Sequence, residues 1–324
     1  MMKAAVYENY GPPEIVQIKE ISKPSIKDNE VLIKVHASTV NRTDCGFRSA
    51  EYFIVRFFAG LFKPKQKVLG NEFAGVVEAI GNSVENFKVG DKVFGYNDQQ
   101  FGAHAQYMKM DSNAAIALMP KAYNFVEAAP LLEGSHYALV DIIAAKIKGG
   151  EDVLVNGATG AIGSAAVQIL NYLGAKVTAV CPTKQVELVK SLGADVVIDF
   201  QKEDFTKLET QFDFIFDAVG KSSFFKCKHL LKPKGIYIST ELGYLSQNPF
   251  LALLTPLFGG KKLLFPLPTI SQSDANYFKA LAEEGKFKPL IDRTYPLDKI
   301  VEAYEYVESR QKIGNVVIEI VGGE

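Results

Sequence analysis

The stretch VLVNGATGAIG, residues 153–163, has the order of a buried strand, a tight glycine turn and the start of a helix. Three glycines in it would supply the tight turn, a close approach of backbone to phosphate, and room for the helix to pack on the strand. Backbone N–H groups at the helix start would face the pyrophosphate of a dinucleotide. The turn residues expected to hold that group are Gly157, Ala158, Thr159, Gly160, Ala161, Ile162 and Gly163.

The residues after this turn repeat the order of strand and helix. Apolar residues at helical spacing predict a helix over 164–174, with Gly174 at its C-terminal end. Further strands are predicted at 176–180, 195–199, 212–217 and 235–240. A glycine-rich turn alone is often only a turn, but repeated β-then-α order indicates a parallel, doubly wound sheet. This context favours a dinucleotide site.

The pattern changes on either side of these repeats. Residues 1–124 contain short strands with frequent glycine and predict a β-rich, barrel-like domain. Residues 125–268 predict the nucleotide-binding domain, and residues 269–324 return to the first domain with helices at 273–285 and 297–309 and a last strand. The predicted fold class is therefore α/β, a β-rich domain with an inserted doubly wound domain.

Composition excludes several classes of function. The chain has 324 residues, is 48% hydrophobic and 23% charged, and has a formal net charge of -1, which is typical of a soluble globular protein. The chain has no overall positive charge that would favour nucleic acid or an anionic membrane as a partner. Cys45, Cys181 and Cys227 are scattered, so they suggest neither a disulfide framework nor a metal knuckle. These cysteines favour a reducing, cytoplasmic location, and the N-terminal residues show no apolar core of a signal peptide.

Two apolar stretches, 52–62 and 250–258, stand out from this composition. Both are shorter than the ~20 residues that span a bilayer, so no membrane span is predicted. The second is expected to pack in the core or at a subunit interface. The first is either a lid over an apolar substrate or plain packing, because a loop rich in phenylalanine is costly to leave in water.

Several segments together resemble the medium-chain dehydrogenase/reductase superfamily along essentially the whole chain. The segments are KAAVYENYGPPE (3–14), VGDKVFG (89–95), NGATGAIG (156–163), LVKSLGADVVIDF (188–200) and FDAVG (216–220). The resemblance implies a GroES-like catalytic domain, an inserted Rossmann domain and a nicotinamide cofactor. It also implies a homodimer, since members often pair through the edges of their Rossmann sheets.

Three positions separate this chain from the zinc alcohol dehydrogenases of that superfamily. Where those enzymes carry zinc ligands, the matching residues are Asn41, Asn71 and Glu133, and an asparagine amide is a poor ligand for zinc. The segment NRTDCGFRSAEY (41–52) is similar to the NxxDxxxRSxxY pattern of the zinc-free quinone oxidoreductase branch. EGSHYAL (133–139) resembles the reticulon-4-interacting-protein-like group of that branch. No metal is therefore expected.

The resemblance implies roles for residues near the reacting groups. Asn41 would face the nicotinamide or be only a turn residue, and Asp44 would brace its loop. Tyr52 matches a tyrosine lining the quinone site, where its hydroxyl would donate to a developing oxyanion; packing among phenylalanines is the alternative. His136 and Tyr137 stand where relatives place a threonine against the nicotinamide. His136 would be a proton donor or a packing residue.

Cofactor preference is inferred from the end of the second Rossmann strand. NAD-specific sites place a carboxylate there for the ribose diol, whereas residues 177–185, VTAVCPTKQ, contain no acid. Thr183 and Lys184 would instead contact a 2′-phosphate, or be a helix cap and a solvated lysine. NADPH is therefore preferred over NADH. The remaining expected cofactor contacts are Ala218, Val219 and Thr240.

Two residues depart from the usual quinone oxidoreductase pattern. Phe200 stands where many members have a tyrosine near the adenine ribose, and Asn315 stands where a lysine is frequent at the nicotinamide edge.

These features predict a zinc-independent, NADPH-dependent oxidoreductase. Hydride would pass to a small apolar electrophile, namely a quinone, an enone or a reactive carbonyl, bound under the 52–62 loop. Such acceptors spread the incoming charge by conjugation and need only hydrogen-bond donors and a proton. The alternative is an NAD(P)H-binding scaffold or redox sensor without robust turnover.

Overall fold

The computed structural model describes residues 1–51, 53 and 55–320. Tyr52, a predicted catalytic residue, lies outside the described residues. The strands are β1 (Met2–Val6), β2 (Gln17–Ile21), β3 (Glu30–Val40), β4 (Glu72–Ile80), β5 (Lys92–Tyr96), β6 (Tyr107–Asp111), β7 (Ile116–Leu118), β8 (Asp152–Asn156), β9 (Lys176–Cys181), β10 (Val196–Asp199), β11 (Phe212–Asp217), β12 (Leu231–Ser239), β13 (Lys262–Leu264), β14 (Ile291–Pro296) and β15 (Asn315–Glu319).

The helices follow the same numbering along the chain. They are α1 (Arg42–Ser49), α2 (Val55–Ala59), α3 (Phe125–Ala128), α4 (Glu133–Ala145), α5 (Ala161–Tyr172), α6 (Val186–Ser191), α7 (Phe224–Cys227), α8 (Gln247–Leu254), α9 (Gln272–Glu283) and α10 (Ile300–Glu308). Among the residues that the structure describes, no helix has the length and apolar character needed to cross a membrane.

The chain divides into two compact units. Unit 1 comprises residues 1–133, 270–285 and 289–324, and unit 2 comprises residues 134–269 and 286–288. Residues 125–133, expected in the nucleotide-binding domain, thus belong to unit 1. One cause is a hydrogen bond across 61 positions of sequence, from the Glu133 backbone N–H to the Glu72 carboxylate at 2.6 Å.

Unit 2 contains a parallel sheet of six strands in the order β10-β9-β8-β11-β12-β13. This order, with β8 as the first strand, is the 3-2-1-4-5-6 arrangement of the Rossmann fold. Consecutive residues of β8, namely Val153, Leu154 and Val155, are all fully buried, as expected for a parallel strand covered on both faces. The strand order reverses between β8 and β11, which is where such folds bind ligands.

Unit 1 contains a mainly antiparallel sheet of seven strands in the order β14-β15-β3-β4-β5-β7, with β6 pairing with β3. Its core combines alternate residues of β3, among them Val31, Ile33 and Val35, with apolar residues of α10 such as Tyr304. This period of two buries one face of the sheet. A separate two-stranded pair, β1 and β2, has its own small apolar cluster.

Element positions follow the sequence prediction closely where periodicity is strong. The predicted helices at 164–174 and 273–285 correspond to α5 and α9, and Gly174 has the positive φ of +80° that ends a helix. Helix α1 had no prediction, although Asn41 and Asp44 form a capping box at its start. That motif, with Asn rather than Ser at the cap, is the signal that would have revealed it.

Candidate functional site

The glycine turn of unit 2 has two glycines that packing requires and one that it does not. Gly157 has φ of +84°, and a Cβ there would lie 2.3 Å from Cγ1 of Val219. A Cβ at Gly163 would lie 2.1 Å from the carbonyl oxygen of Gly157. At Gly160 the nearest such atom is 3.8 Å away and φ is an ordinary -72°. The space beside Gly160 is therefore left open by the described protein atoms, as a phosphate would need.

Helix α5 begins directly after this open space. Gly160 is its N-cap residue, and no side chain caps the first turn. The N-terminal N–H groups and the positive end of the helix dipole therefore remain available to an anion. The residues Gly157 to Gly163 fit a dinucleotide pyrophosphate.

A buried carboxylate, Asp217, orders the loop facing this turn. It accepts hydrogen bonds from Nδ2 of Asn156 at 3.0 Å, from the Tyr237 hydroxyl at 3.0 Å and from the Ser222 backbone at 2.9 Å. Asp217 thus joins β8, β11 and β12 at their carboxyl ends. It holds the following residues, Ala218 and Val219, beside Gly157. This role of Asp217 was not predicted, although an acid that ends an apolar strand, as in FDAVG (216–220), is a sequence signal for it.

Two further predicted cofactor residues, Tyr137 and Thr240, line one pocket of unit 2. The other lining residues are Val140, Asp141, Ser239, Phe265, Pro266 and Pro268. His136 is buried, and its ring centroid lies 4.6 Å from that of Tyr137. The structure therefore brings Tyr137 and Thr240 together, as a shared cofactor role requires.

Asp141 is the residue of this pocket that the sequence analysis missed. Its side chain is buried, and no described residue donates a hydrogen bond to it. Burial alone raises the pKa of the Asp141 carboxyl to about 8. At neutral pH this group is a neutral acid that offers a hydroxyl to whatever occupies the pocket. An isolated acid within an apolar helix, ALVDIIAA, was the available signal.

An acidic residue lies at the carboxyl end of β9, where the cofactor prediction expected none. Because β9 and β10 pair in parallel, with Cys181 opposite Asp199, an acid from the next strand reaches this end. The Thr183 hydroxyl donates to Oδ2 of Asp199 at 2.6 Å, and this bond lowers the pKa of Asp199. Lys202 Nζ lies 3.3 Å from the same oxygen. Residues 177–185 contain no acid, as expected, but the pairing of β9 with β10 places the Asp199 carboxylate beside Thr183.

In unit 1, Asn41 and Asp44 hold each other at the start of α1. The Asp44 N–H donates to Oδ1 of Asn41 at 2.9 Å, and the Asn41 N–H donates to Oδ2 of Asp44 at 3.2 Å. The Gly70 N–H donates to Oδ1 of Asp44 at 2.9 Å. Asp44 therefore ties α1 to the loop before β4. Their contacts to nicotinamide or substrate stay predictions.

Two of the three positions that match zinc ligands, Asn41 and Asn71, are hydrogen-bonded to each other through amide groups, which are poor ligands for zinc. The Asn41 Nδ2 group donates to Oδ1 of Asn71 at 2.6 Å, so each amide uses the other. Glu133 offers the sole carboxylate of the three. Across the described ranges, no group of three or more His, Cys, Asp and Glu side chains is arranged to hold a metal. The residues present do not fit a catalytic zinc ion.

Two buried glutamates lie beside this amide pair. Glu72 Oε2 accepts from the Thr39 hydroxyl at 2.8 Å, and Glu133 Oε1 accepts from the Thr43 hydroxyl at 2.8 Å. Burial raises the pKa of Glu72 to about 7. Burial, and then the Glu72 charge, raise the pKa of Glu133 well above its usual range. Oε2 of Glu133 is buried with no described hydrogen-bond partner, as suits a protonated acid.

Lys312 brings the compensating charge into this part of unit 1. Burial lowers the pKa of Lys312, while the charges of Glu133 and Glu72 act in the opposite direction. Its ammonium group donates to the carbonyl oxygen of Gly314. The expected lysine is absent at Asn315, whose side chain donates to the Leu290 carbonyl at 2.9 Å. Lys312, three positions before Asn315, is a cation that was not predicted for this site.

Family profiles match both units of the chain. Residues 27–121 match the family described as alcohol dehydrogenase GroES-like domain, and residues 192–318 match the family described as zinc-binding dehydrogenase.

Individual relatives extend these matches over nearly the whole chain. The 2-methylene-furan-3-one reductase of Solanum lycopersicum is 32% identical, with 98% of this chain and 79% of that protein covered. The chloroplastic NADPH-dependent alkenal/one oxidoreductase of Arabidopsis thaliana is 30% identical with the same coverage, 98% and 79%. A solved quinone oxidoreductase from Coxiella burnetii superposes with a TM-score of 0.89 at 26% identity, covering 99% of each chain.

The buried Asp141 carboxyl should make the free energy of unfolding depend on pH, and Asp141→Asn should remove that contribution. An aspartate in an unfolded chain ionises near pH ~4, whereas in the folded protein its pKa is about 8. The folded state binds the extra proton between these values, so this residue makes the free energy of unfolding fall as pH rises. Urea unfolding at pH values across this window should give a shallower fall for the variant, by up to about 1.4 kcal/mol per pH unit. If the free energies of unfolding of wild type and Asp141→Asn changed equally with pH, the raised pKa of Asp141 would be contradicted.

Proposed function

The chain belongs to the quinone oxidoreductase branch of the medium-chain dehydrogenase/reductase superfamily, and we propose that it is a zinc-independent, NADPH-dependent reductase of quinones, enones or reactive carbonyls. The observation that carries the proposal is the open space at Gly160, in a turn where packing enforces the glycines on either side. Nothing in the protein's own packing explains a glycine there, whereas a pyrophosphate does.

Acceptors of this type suit the side chains that the structure offers. Bound NADPH would supply the hydride, and conjugation in the acceptor would spread the resulting charge onto an oxygen. That oxygen needs hydrogen-bond donors and a proton rather than a Lewis acid. In unit 2, Asp141 offers a neutral carboxyl beside Tyr137 and Thr240. In unit 1, burial raises the pKa of Glu133, whose Oε1 accepts a hydrogen bond from the Thr43 hydroxyl. No step through zinc is proposed.

We propose NADPH as the cofactor because the side chains at the end of β9 carry a net positive charge. Asp199 places one negative charge there, and Thr183 and Lys202 already engage it. Lys184 is exposed on the turn that follows β9. Two lysines against one carboxylate leave a net positive charge for a 2′-phosphate. The printed name of the Arabidopsis relative, an NADPH-dependent enzyme, agrees with this choice.

Activity is tested with a matched pair of glycine variants. The purified protein should oxidise NADPH when given a 1,4-quinone or a 2-alkenal, followed by the loss of nicotinamide absorbance. Gly160→Ala should weaken NADPH binding at least about tenfold, since a methyl group enters the phosphate space. Gly260→Ala is the control, because a Cβ there meets nothing closer than 4.0 Å and its φ is ordinary.

Both variants should melt at the temperature of the wild type. Equal NADPH affinity for Gly160→Ala and Gly260→Ala would refute the binding site. NADPH binding without turnover of any acceptor in the panel would refute the reductase.

Cofactor preference is tested at Asp199. Asp199→Asn removes a negative charge from the expected 2′-phosphate site, so the ratio of kcat/KM for NADPH over NADH should rise by about tenfold. Lys184→Ala should lower the same ratio. Asp204→Asn is the control, since Asp204 caps the short helical turn at Thr206 instead. A higher ratio for wild type than for Asp199→Asn would contradict the assignment.

A further inference from the structure

An exposed aromatic surface lies between α1 and β4 in unit 1. Its described members with side chains turned to solvent, here called the aromatic patch, are Phe53, Phe57, Phe58, Leu61 and Phe62. Their exposed fractions run from 46% at Leu61 to 85% at Phe62. Apolar side chains this exposed and this close in sequence are unusual on a protein surface unless they meet a partner.

The backbone beneath the aromatic patch is firmly held. The Tyr10 hydroxyl donates to the Gly60 carbonyl at 2.6 Å, and the Arg56 guanidinium lies over the Tyr10 ring, 5.0 Å from its centroid. The Lys65 N–H donates to the Ala59 carbonyl at 2.8 Å. Gly60 has φ of +124°, and a Cβ there would lie 2.2 Å from the Lys63 carbonyl oxygen. The fold therefore presents these rings outward on an ordered turn.

The charge within the patch segment is positive, although the exposed Glu51 directly precedes it. Four basic residues, Arg56, Lys63, Lys65 and Lys67, fall between residues 52 and 71, and no acid does. None of the four forms an ion pair with a described residue. The whole chain has a net charge of -1, so this local excess of positive charge is hidden in the global balance.

We propose that this surface docks on an anionic phospholipid bilayer, with the phenylalanines at the acyl boundary and the lysines at the headgroups. Aromatic and leucine side chains beside lysines are the combination that binds membrane interfaces. Each lysine near an anionic surface adds attraction, and two signals together give stable binding where one does not. A second copy of this chain fits less well, because symmetric pairing would bring the four positive charges against four more.

The proposal does not rest on the reductase assignment. It places the protein at the surface where apolar quinones and lipid-derived enals are concentrated, without requiring a membrane-spanning segment.

Vesicle co-sedimentation of the full chain tests this surface. Wild type should pellet with vesicles of phosphatidylcholine and phosphatidylserine and far less with phosphatidylcholine alone. The double variant F58S/F62S should lose at least about tenfold in partitioning. The triple variant K63Q/K65Q/K67Q should lose up to about a hundredfold on anionic vesicles only. Raising the ionic strength should weaken wild-type binding in the same way.

Phe258→Ser is the matched control, since Phe258 is 82% exposed in the other apolar stretch, 250–258, in unit 2. It should bind vesicles as wild type does, and all variants should keep the wild-type melting temperature and NADPH affinity. Absent or lipid-independent wild-type binding would overturn the proposal, as would an equal loss in Phe258→Ser. Unchanged vesicle binding of F58S/F62S with a raised KM for a soluble quinone would assign the patch to a substrate lid instead.

Discussion

A single steric constraint determines the nucleotide-binding unit: the carbonyl oxygen of Gly157 lies where a side chain at residue 163 would have to be. Because residue 163 is glycine, α5 packs directly against the turn that leaves β8. The same turn needs a positive φ at Gly157, whose α-carbon faces Val219. The N-terminus of α5 is thereby fixed at the edge where the strand order reverses, with an opening at Gly160. Asp217 then fixes the facing loop by bonding three strands.

Unit 1 shows a different consequence of burial. Polar residues are gathered without a metal, and burial raises the pKa of Asp44 and of Glu72 to about 7. Burial also lowers the pKa of His104 to about 4, so this histidine is neutral, and its Nε2–H donates to the Thr39 carbonyl at 2.7 Å. Burial thus shifts the pKa of these carboxyl groups toward neutral pH. Asn41 and Asn71 present amides to each other at the centre of this cluster.

Much of the fold and part of the site could be predicted from the sequence, for identifiable reasons. Elements with strong periodicity, such as β8 and α5, were placed to within three residues because burial imposes the pattern. Glycine roles were also predictable, since sterics act locally. Asp199 and Lys312 were not, because their importance comes from neighbours on other strands or loops. Asp141 was missed since a lone acid in an apolar helix has several explanations until its pocket is seen.

The proposed reaction needs the dinucleotide and no metal at Asn41, Asn71 and Glu133. The most direct measurement is the metal content of purified, active protein, together with its kcat before and after dialysis against a strong chelator. We expect a zinc content far below one per chain and an unchanged kcat. Stoichiometric zinc, with activity lost to the chelator and restored by zinc, would contradict it.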